Sequence, residues 1–165
     1  MVLDLNSKID TAQLKGYFVD LTLYDINNNE IADNLYWLSS KPDVVDPDYS
    51  HSSWIYTPNV AFGDLKFVRN LPEASVTKES GVFVQDGDYM LKTITLKNNS
   101  DKISFFNEFT VVDEVNAPVL PVFWSDNYVS LLPGESKELT VRVNAKDAQG
   151  KTLKVVSNTI NTEIK

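Results

Sequence analysis

Apolar and polar positions alternate one for one along much of the chain. Tyr17, Val19, Leu21 and Leu23 alternate with Phe18, Asp20, Thr22 and Tyr24, the period of two that predicts a β-strand. The polar, Asn-rich run 25–29 reads as a turn, and Ile31 to Leu38 as the returning strand of a hairpin. Residues 39–64 lose the periodicity and carry Pro42, Pro47 and Pro58, so they read as a long irregular stretch. Strands resume after Leu71-Pro72, with Ala74 to Thr77 as one and Val82 to Val84 as its extension. Asp86-Gly87-Asp88 is a tight hairpin signal, and Tyr89 to Leu96 is the strand it opens. A turn over 97–101 leads to a strand at 103–112 with Ile103, Phe105, Phe109 and Val111 on one face. Tyr128 to Leu132 and Glu138 to Val143 read as a pair around Pro133-Gly134, with Leu139, Val141 and Val143 inward and Thr140 and Arg142 outward. Residues 151–164 add one or two last strands.

Seven or more short strands separated by turn signals, with no amphipathic helix, predict an all-β fold: an antiparallel β-sandwich of immunoglobulin-like architecture. Cysteine is absent, so the inter-sheet disulfide of antibody domains is missing and the likeness is one of architecture. At 165 residues the chain is read as one sandwich domain, long enough to bury a core without staples. A net charge of -8 argues against nucleic acid as a partner, because phosphate binding needs clustered Lys and Arg. No apolar run approaches the roughly 20 residues of a membrane span. The first ten residues, MVLDLNSKID, lack the basic and apolar regions of a signal peptide.

No catalytic constellation emerges. The one histidine, His51, has serines beside it, but a triad is assembled from distant positions. Asn29-Glu30 and Asn107-Glu108 imitate the dipeptide that carries the acid/base of many barrel glycosidases, yet neither lies at a strand end of a βα repeat. Asp43, Asp46 and Asp48 match no hard-cation loop, and neither metal nor cofactor is expected. Asn98-Asn99-Ser100 has the form of an N-glycosylation acceptor.

What stands out is VLPVFWSDNYVSLLPGESKEL, residues 119–139, where Trp124, Asp126, Asn127 and Tyr128 crowd into one short segment. With Tyr36, Trp37 and Trp54 they form the candidate site. Aromatic rings stack on the apolar faces of sugars while Asp and Asn bond the hydroxyls. Large aromatics also fill sandwich cores or dock on neighbouring domains, and at this point both readings stand.

The segments YFVDLTLYDINNNEI (17–31), NLYWLSSKPD (34–43), WIYTP (54–58), GDLKFV (63–68), TLKNNSDKISFFNEFTV (95–111) and PVFWSDNYVSLLPGES (121–136) resemble, in order, the C-terminal immunoglobulin-like domain of family 2 glycoside hydrolases of the exo-β-glucosaminidase and β-mannosidase type. DNYVSLLPGES is the most specific of them; Ser104-Phe105 stands where that family has Ala-Phe. The resemblance implies a periplasmic or secreted parent enzyme, a retaining β-glycosidase whose two catalytic glutamates lie in a barrel outside this chain. It implies a non-catalytic accessory domain whose partners are the other domains of the parent and, at the cleft rim, an oligosaccharide. The alternative is an autonomous carbohydrate-binding or adhesion module.

Overall fold

The computed structural model describes residues 14–165, so the reading of the first ten residues lies outside it. The chain divides between Val68 and Arg69 into two compact units. In the first, β1 (Gly16–Tyr24) and β2 (Glu30–Ser39) form the expected antiparallel hairpin. Asp25 closes its turn: one carboxylate oxygen accepts from the backbone N–H groups of Asn27 and Asn29, each at 2.8 Å. Within the irregular stretch two short strands, β3 (Val44–Val45) and β4 (Asn59–Ala61), pair with each other. The aspartates there serve the loop itself: Asp43 accepts from Gly63 N–H at 2.6 Å, and Asp48 caps the 3-10 turn 49–51 through Ser50 N–H at 3.0 Å. Phe67 meets Phe18 edge-on at 5.7 Å and lies against Gly16, where a Cβ would collide with its ring. No residue from 14 to 68 is fully buried.

The second unit is a two-sheet sandwich. Its strands are β5 (Ala74–Ser80), β6 (Val84–Asp86), β7 (Tyr89–Asn98), β8 (Ser104–Val112), β9 (Val122–Trp124), β10 (Val129–Leu131), β11 (Ser136–Asn144), β12 (Lys154–Asn158) and β13 (Thr162–Ile164). One sheet runs β13-β5-β7-β11-β9, with β6 also paired to β7; the other runs β10-β8-β12. All pairs are antiparallel except β13 with β5. The Gly87-Asp88 hairpin joins β6 to β7 with Asp86 opposite Tyr89, and Gly87 takes the left-handed φ of 56° that its turn requires. Val82 to Val84 does not extend β5; the chain breaks at 81–83 and Val84 begins a strand of its own.

The core lies between the sheets. Val76, Ile94, Leu96 and Leu139 meet Phe109, Val129 and Leu131, while Val141 and Val143 meet Val111, Val119 and Ala148. Leu139, Val141 and Val143 are inward as expected, at 0, 1 and 0% exposure. One turn of α-helix, α1 (Ala145–Ala148), follows β11.

Three further expectations are corrected. β10 and β11 are not a hairpin pair: β10 joins β8, β11 joins β7 and β9, and the turn between them carries the chain from one sheet to the other. Leu132 O accepts from Glu135 N–H at 3.1 Å across Pro133 and Gly134 (φ 81°), and the Glu135 carboxylate accepts from Leu132 N–H at 2.6 Å. Within β8, Phe106 takes φ 57° and the register against β10 shifts, two residues spanning three. This bulge buries Ser104 rather than Ile103 in the first inward position. The Asn98-Asn99-Ser100 signal fails as a glycosylation site because Asn98 is 0% exposed, and its amide nitrogen donates to the carbonyl groups of Lys102, Leu131 and Leu132.

The loop 113–117 rests on Asp113, whose carboxylate accepts from Ala117 N–H (2.8 Å), Val115 N–H (3.1 Å) and the Lys151 ammonium (3.0 Å). The Lys151 contact first, then the backbone donors, hold this carboxyl below the usual carboxylate range. A depressed carboxyl adds stability above its unfolded pKa, near 3.9, that is lost as pH falls through the folded value. The stability gap between wild type and Asp113→Asn is therefore expected to be widest at neutral pH and to close below about pH 4. Thermal unfolding at pH 7, 5, 3 and 2 checks this; a constant gap removes the ionised carboxylate from the account.

Candidate functional site

The segment 122–128 separates into five roles. β9 pairs with β11, placing Trp124 opposite Val141 and Phe123 opposite Arg142. Trp124 turns inward and packs against both core clusters, 6.2 Å from the Phe109 ring. Phe123 points outward, and Arg142 lies over it at 5.2 Å and over Tyr89 at 5.3 Å, a guanidinium between two rings. The sequence placed Tyr89 only as the start of a strand and gave no sign of the stack. The alternation of β11 did point Arg142 outward.

Asp126 accepts from Asn127 N–H at 2.8 Å and pairs with Lys137. Asn127 replaces a strand residue. Its Oδ1 accepts from Phe109 N–H at 2.8 Å and its Nδ2 donates to Phe109 O at 2.9 Å, so one side chain completes the backbone pairing of β8. Tyr128 leaves this clamp with φ 57° and half its surface exposed. Its ring lies 5.2 Å from Phe106, the other left-handed aromatic, and its hydroxyl donates to Glu108 Oε1 at 3.0 Å. Glu108 Oε2 accepts from Asn158 Nδ2 at 3.1 Å. The Glu108 contact pushes the Tyr128 phenol pKa up, because ionising it would lose a hydrogen bond and set two negative charges together. Phe106, Tyr128, Glu108 and Asn158 thus form a fixed polar-aromatic patch on the outer side of the β10-β8-β12 sheet.

The other three candidates lie in the first unit. Tyr36 and Trp37 are consecutive in β2 and face opposite sides of the hairpin, opposite Val19 and Phe18 respectively. Tyr36 accepts from Asn34 Nδ2 at 2.8 Å, and Trp37 lines a hollow of about 370 Å³ with Tyr17, Leu38, Pro42 and Leu65. Trp54 is 95% exposed at the tip of a turn closed by paired hydrogen bonds between Ser53 and Tyr56. His51 faces Asp46 at 3.0 Å, and this contact lowers the Asp46 pKa. Among the described residues no group of three or more His, Asp or Glu is placed to hold a metal ion, and no helix is long and apolar enough to cross a membrane.

The fold and its surface define an immunoglobulin-like β-sandwich domain. The sequence model of the exo-β-D-glucosaminidase Ig-fold domain matches residues 54–162, and the chain belongs to that family, an accessory domain of family 2 glycoside hydrolases. It is 36% identical over 148 residues to an exo-β-D-glucosaminidase of Streptomyces avermitilis, covering 88% of this chain and 16% of that protein. It is 38% identical over 136 residues to the Amycolatopsis orientalis enzyme of the same name, covering 81% and 13%. A more distant relative, a mannosylglycoprotein endo-β-mannosidase of Lilium longiflorum, is 24% identical over 164 residues. The crystal structure of the Amycolatopsis orientalis exo-chitosanase superposes with a TM-score of 0.81 at 36% identity, over 90% of this chain and 18% of that one. The chain therefore spans less than a fifth of the length of these bacterial relatives.

Proposed function

We propose that the chain, as one accessory piece made of both units, is a non-catalytic domain of a secreted or periplasmic retaining β-glycosidase of the glucosaminidase type. In this reading it packs on the catalytic body, and its partners are the other domains of that enzyme. The observation that carries it is the family match together with the small share of each relative that the chain covers. The chemistry of the candidate site agrees. Asp126 and Asn127 are spent on holding the sheets, Trp124 fills the core, and both oxygens of Glu108 are engaged by neutral donors.

A second reading keeps a sugar contact, at the cleft rim or in an autonomous binding module. It is favoured by the Tyr128, Phe106 and Glu108 patch, where an exposed Tyr128 ring and a half-buried Phe106 ring stand beside a carboxylate held by hydrogen bonds. One experiment tests both. The chain alone is expected to release no p-nitrophenol from p-nitrophenyl β-D-glucosaminide and to show no saturable NMR shifts with glucosamine oligomers up to millimolar concentration. Turnover by the chain alone overturns the non-catalytic assignment. Saturable shifts at residues 106–108 and 128 that Glu108→Gln abolishes establish the sugar contact.

A further inference from the structure

Arg142 is an exposed cation without a counterion. It stands on the outer face of the β9-β11-β7-β6 sheet, in a row that the register sets as Phe123, Arg142, Leu91 and Val84. Two rings hold its guanidinium, Phe123 at 5.2 Å and Tyr89 at 5.3 Å. Rings position a guanidinium but leave its in-plane N–H donors without acceptors. Among the described residues no carboxylate pairs with Arg142 and no protein group accepts from it. The acidic residues of the same face stand off. Glu138 is four positions along β11, about 13 Å by strand rise, and Asp86 is two strands away. Beside Arg142 the sheet edge forms a hollow of about 400 Å³, with Leu91 and Phe123 as apolar wall and Ser125 and Thr140 as polar floor. Ser125 is fixed there twice: its N–H donates to Thr140 O at 2.8 Å, and its Oγ accepts from Thr140 N–H at 2.9 Å. Among the described residues neither the Ser125 nor the Thr140 hydroxyl donates to a protein group.

We propose that this hollow binds a hexuronate unit of a saccharide. The sugar carboxylate takes the free N–H edge of Arg142, one face of the ring lies on Phe123, and Ser125 and Thr140 donate to ring hydroxyls. Charge selects the acid: a fixed planar fork of donors matches a carboxylate, and the pair is charge-assisted. The exposed Phe123 ring, 48% accessible, selects a ligand with an apolar face over a bare anion. A sugar, rather than another ring-bearing acid, follows from the reading of the chain as part of a glycosidase; the carboxylate follows from Arg142 alone. Protonated glucosamine oligomers are repelled by the same guanidinium, so this site is distinct from the sugar contact weighed at Tyr128 and Glu108. The net charge of -8 disfavours a densely charged polyanion, which leaves a single uronate in an otherwise neutral saccharide.

NMR titration of the 165-residue chain at pH 7 with sodium glucuronate, glucose and sodium acetate tests this. Glucuronate is expected to shift the amides of residues 123–125 and 140–142 and to saturate at about millimolar concentration. Glucose lacks the charge and acetate lacks the ring, so each should bind at least about tenfold more weakly. Arg142→Gln should abolish the glucuronate response while leaving the amides of β8 and β10 unmoved, which shows the fold intact. Arg142→Lys keeps the charge without the planar fork and should also weaken glucuronate, and Phe123→Leu should weaken glucuronate but not acetate. These two variants carry the test if Arg142→Gln does not fold. A flat response to glucuronate overturns the proposal and leaves Arg142 as a cover for two rings. Acetate binding as tightly as glucuronate overturns it too, and so does glucuronate binding that survives in folded Arg142→Gln. None of these results touches the non-catalytic assignment, which fails only if the chain itself hydrolyses substrate.

Discussion

Phe109→Ala is expected to destabilise the sandwich by about 3–5 kcal/mol, the range for emptying a buried phenylalanine site. Phe109 is 1% exposed in the middle of β8 and packs among Ile94, Leu96, Val129, Leu131 and Leu139. It is also the residue on which two other features converge: the Trp124 ring lies 6.2 Å away, and Asn127 grips its backbone N–H and C=O. The site cannot collapse cheaply, because its walls come from both sheets and close packing leaves little room to relax. A domain of this size is stable by roughly 5–15 kcal/mol, so the loss is a large part of the whole. The urea midpoint should fall with the slope unchanged, and Trp124 fluorescence should shift red as the indole loses its neighbour. Phe109→Leu, which keeps most of the volume, should cost less than about 1.5 kcal/mol. A loss below about 1 kcal/mol for the alanine variant would falsify the assignment of Phe109 as the central contact between the sheets.

Asn98→Ala should cost on the order of 3 kcal/mol, although it removes few atoms. The Asn98 amide nitrogen donates to Lys102 O at 2.7 Å, Leu131 O at 3.0 Å and Leu132 O at 3.2 Å, and its oxygen accepts from Ser100 N–H and Oγ at 3.0 and 2.7 Å. Its backbone joins the same junction, since Asn98 N–H donates to Glu135 O at 2.9 Å and Gly134 N–H to Asn98 O at 3.1 Å. One side chain therefore ties the end of β7 to the turn that moves the chain between sheets. Truncation leaves Leu131 O in the interior, and two partly buried carbonyl groups beside it, without their donor, and the cost of leaving such groups unpaired exceeds the worth of the bonds themselves. Asn98→Asp should be worse than alanine, because a carboxylate would aim negative oxygen at three carbonyl oxygens. Asn99→Ala, one residue on and exposed, is the control and should stay within about 0.5 kcal/mol. Equal effects at 98 and 99 would sink the idea of a buried junction.

The candidate site was half legible for a definite reason. Composition located the unusual segment, and Trp124, Asp126, Asn127 and Tyr128 do sit where the sheets meet their edge. Composition cannot say which way each side chain turns. β9 is only three residues long, and its pairing with β11 sends Trp124 inward and Phe123 outward. The alternation that turns Phe109 inward sets Glu108 on the opposite face, but its contact with Tyr128 spans 20 positions of sequence. The buried asparagines carried a readable signal that their polarity masked. Asn98 continues the inward parity of Ile94 and Leu96, and Asn107 that of Phe109 and Val111, yet polar residues read as turn or surface.

By itself the sequence determined the all-β class, the hairpin of β1 and β2, the inward face of β11 and the tight turn at Gly87. Each of these follows from local sterics and a period of two, which act within a few residues. Only the tertiary structure decided that β10 and β11 belong to different sheets, that Asn98 is a buried junction rather than a modified surface residue, and that Asn127 stands in for a strand. Those outcomes depend on which distant backbone groups lie within hydrogen-bonding reach, and reach is a property of the packed sandwich, not of the alternation along the chain.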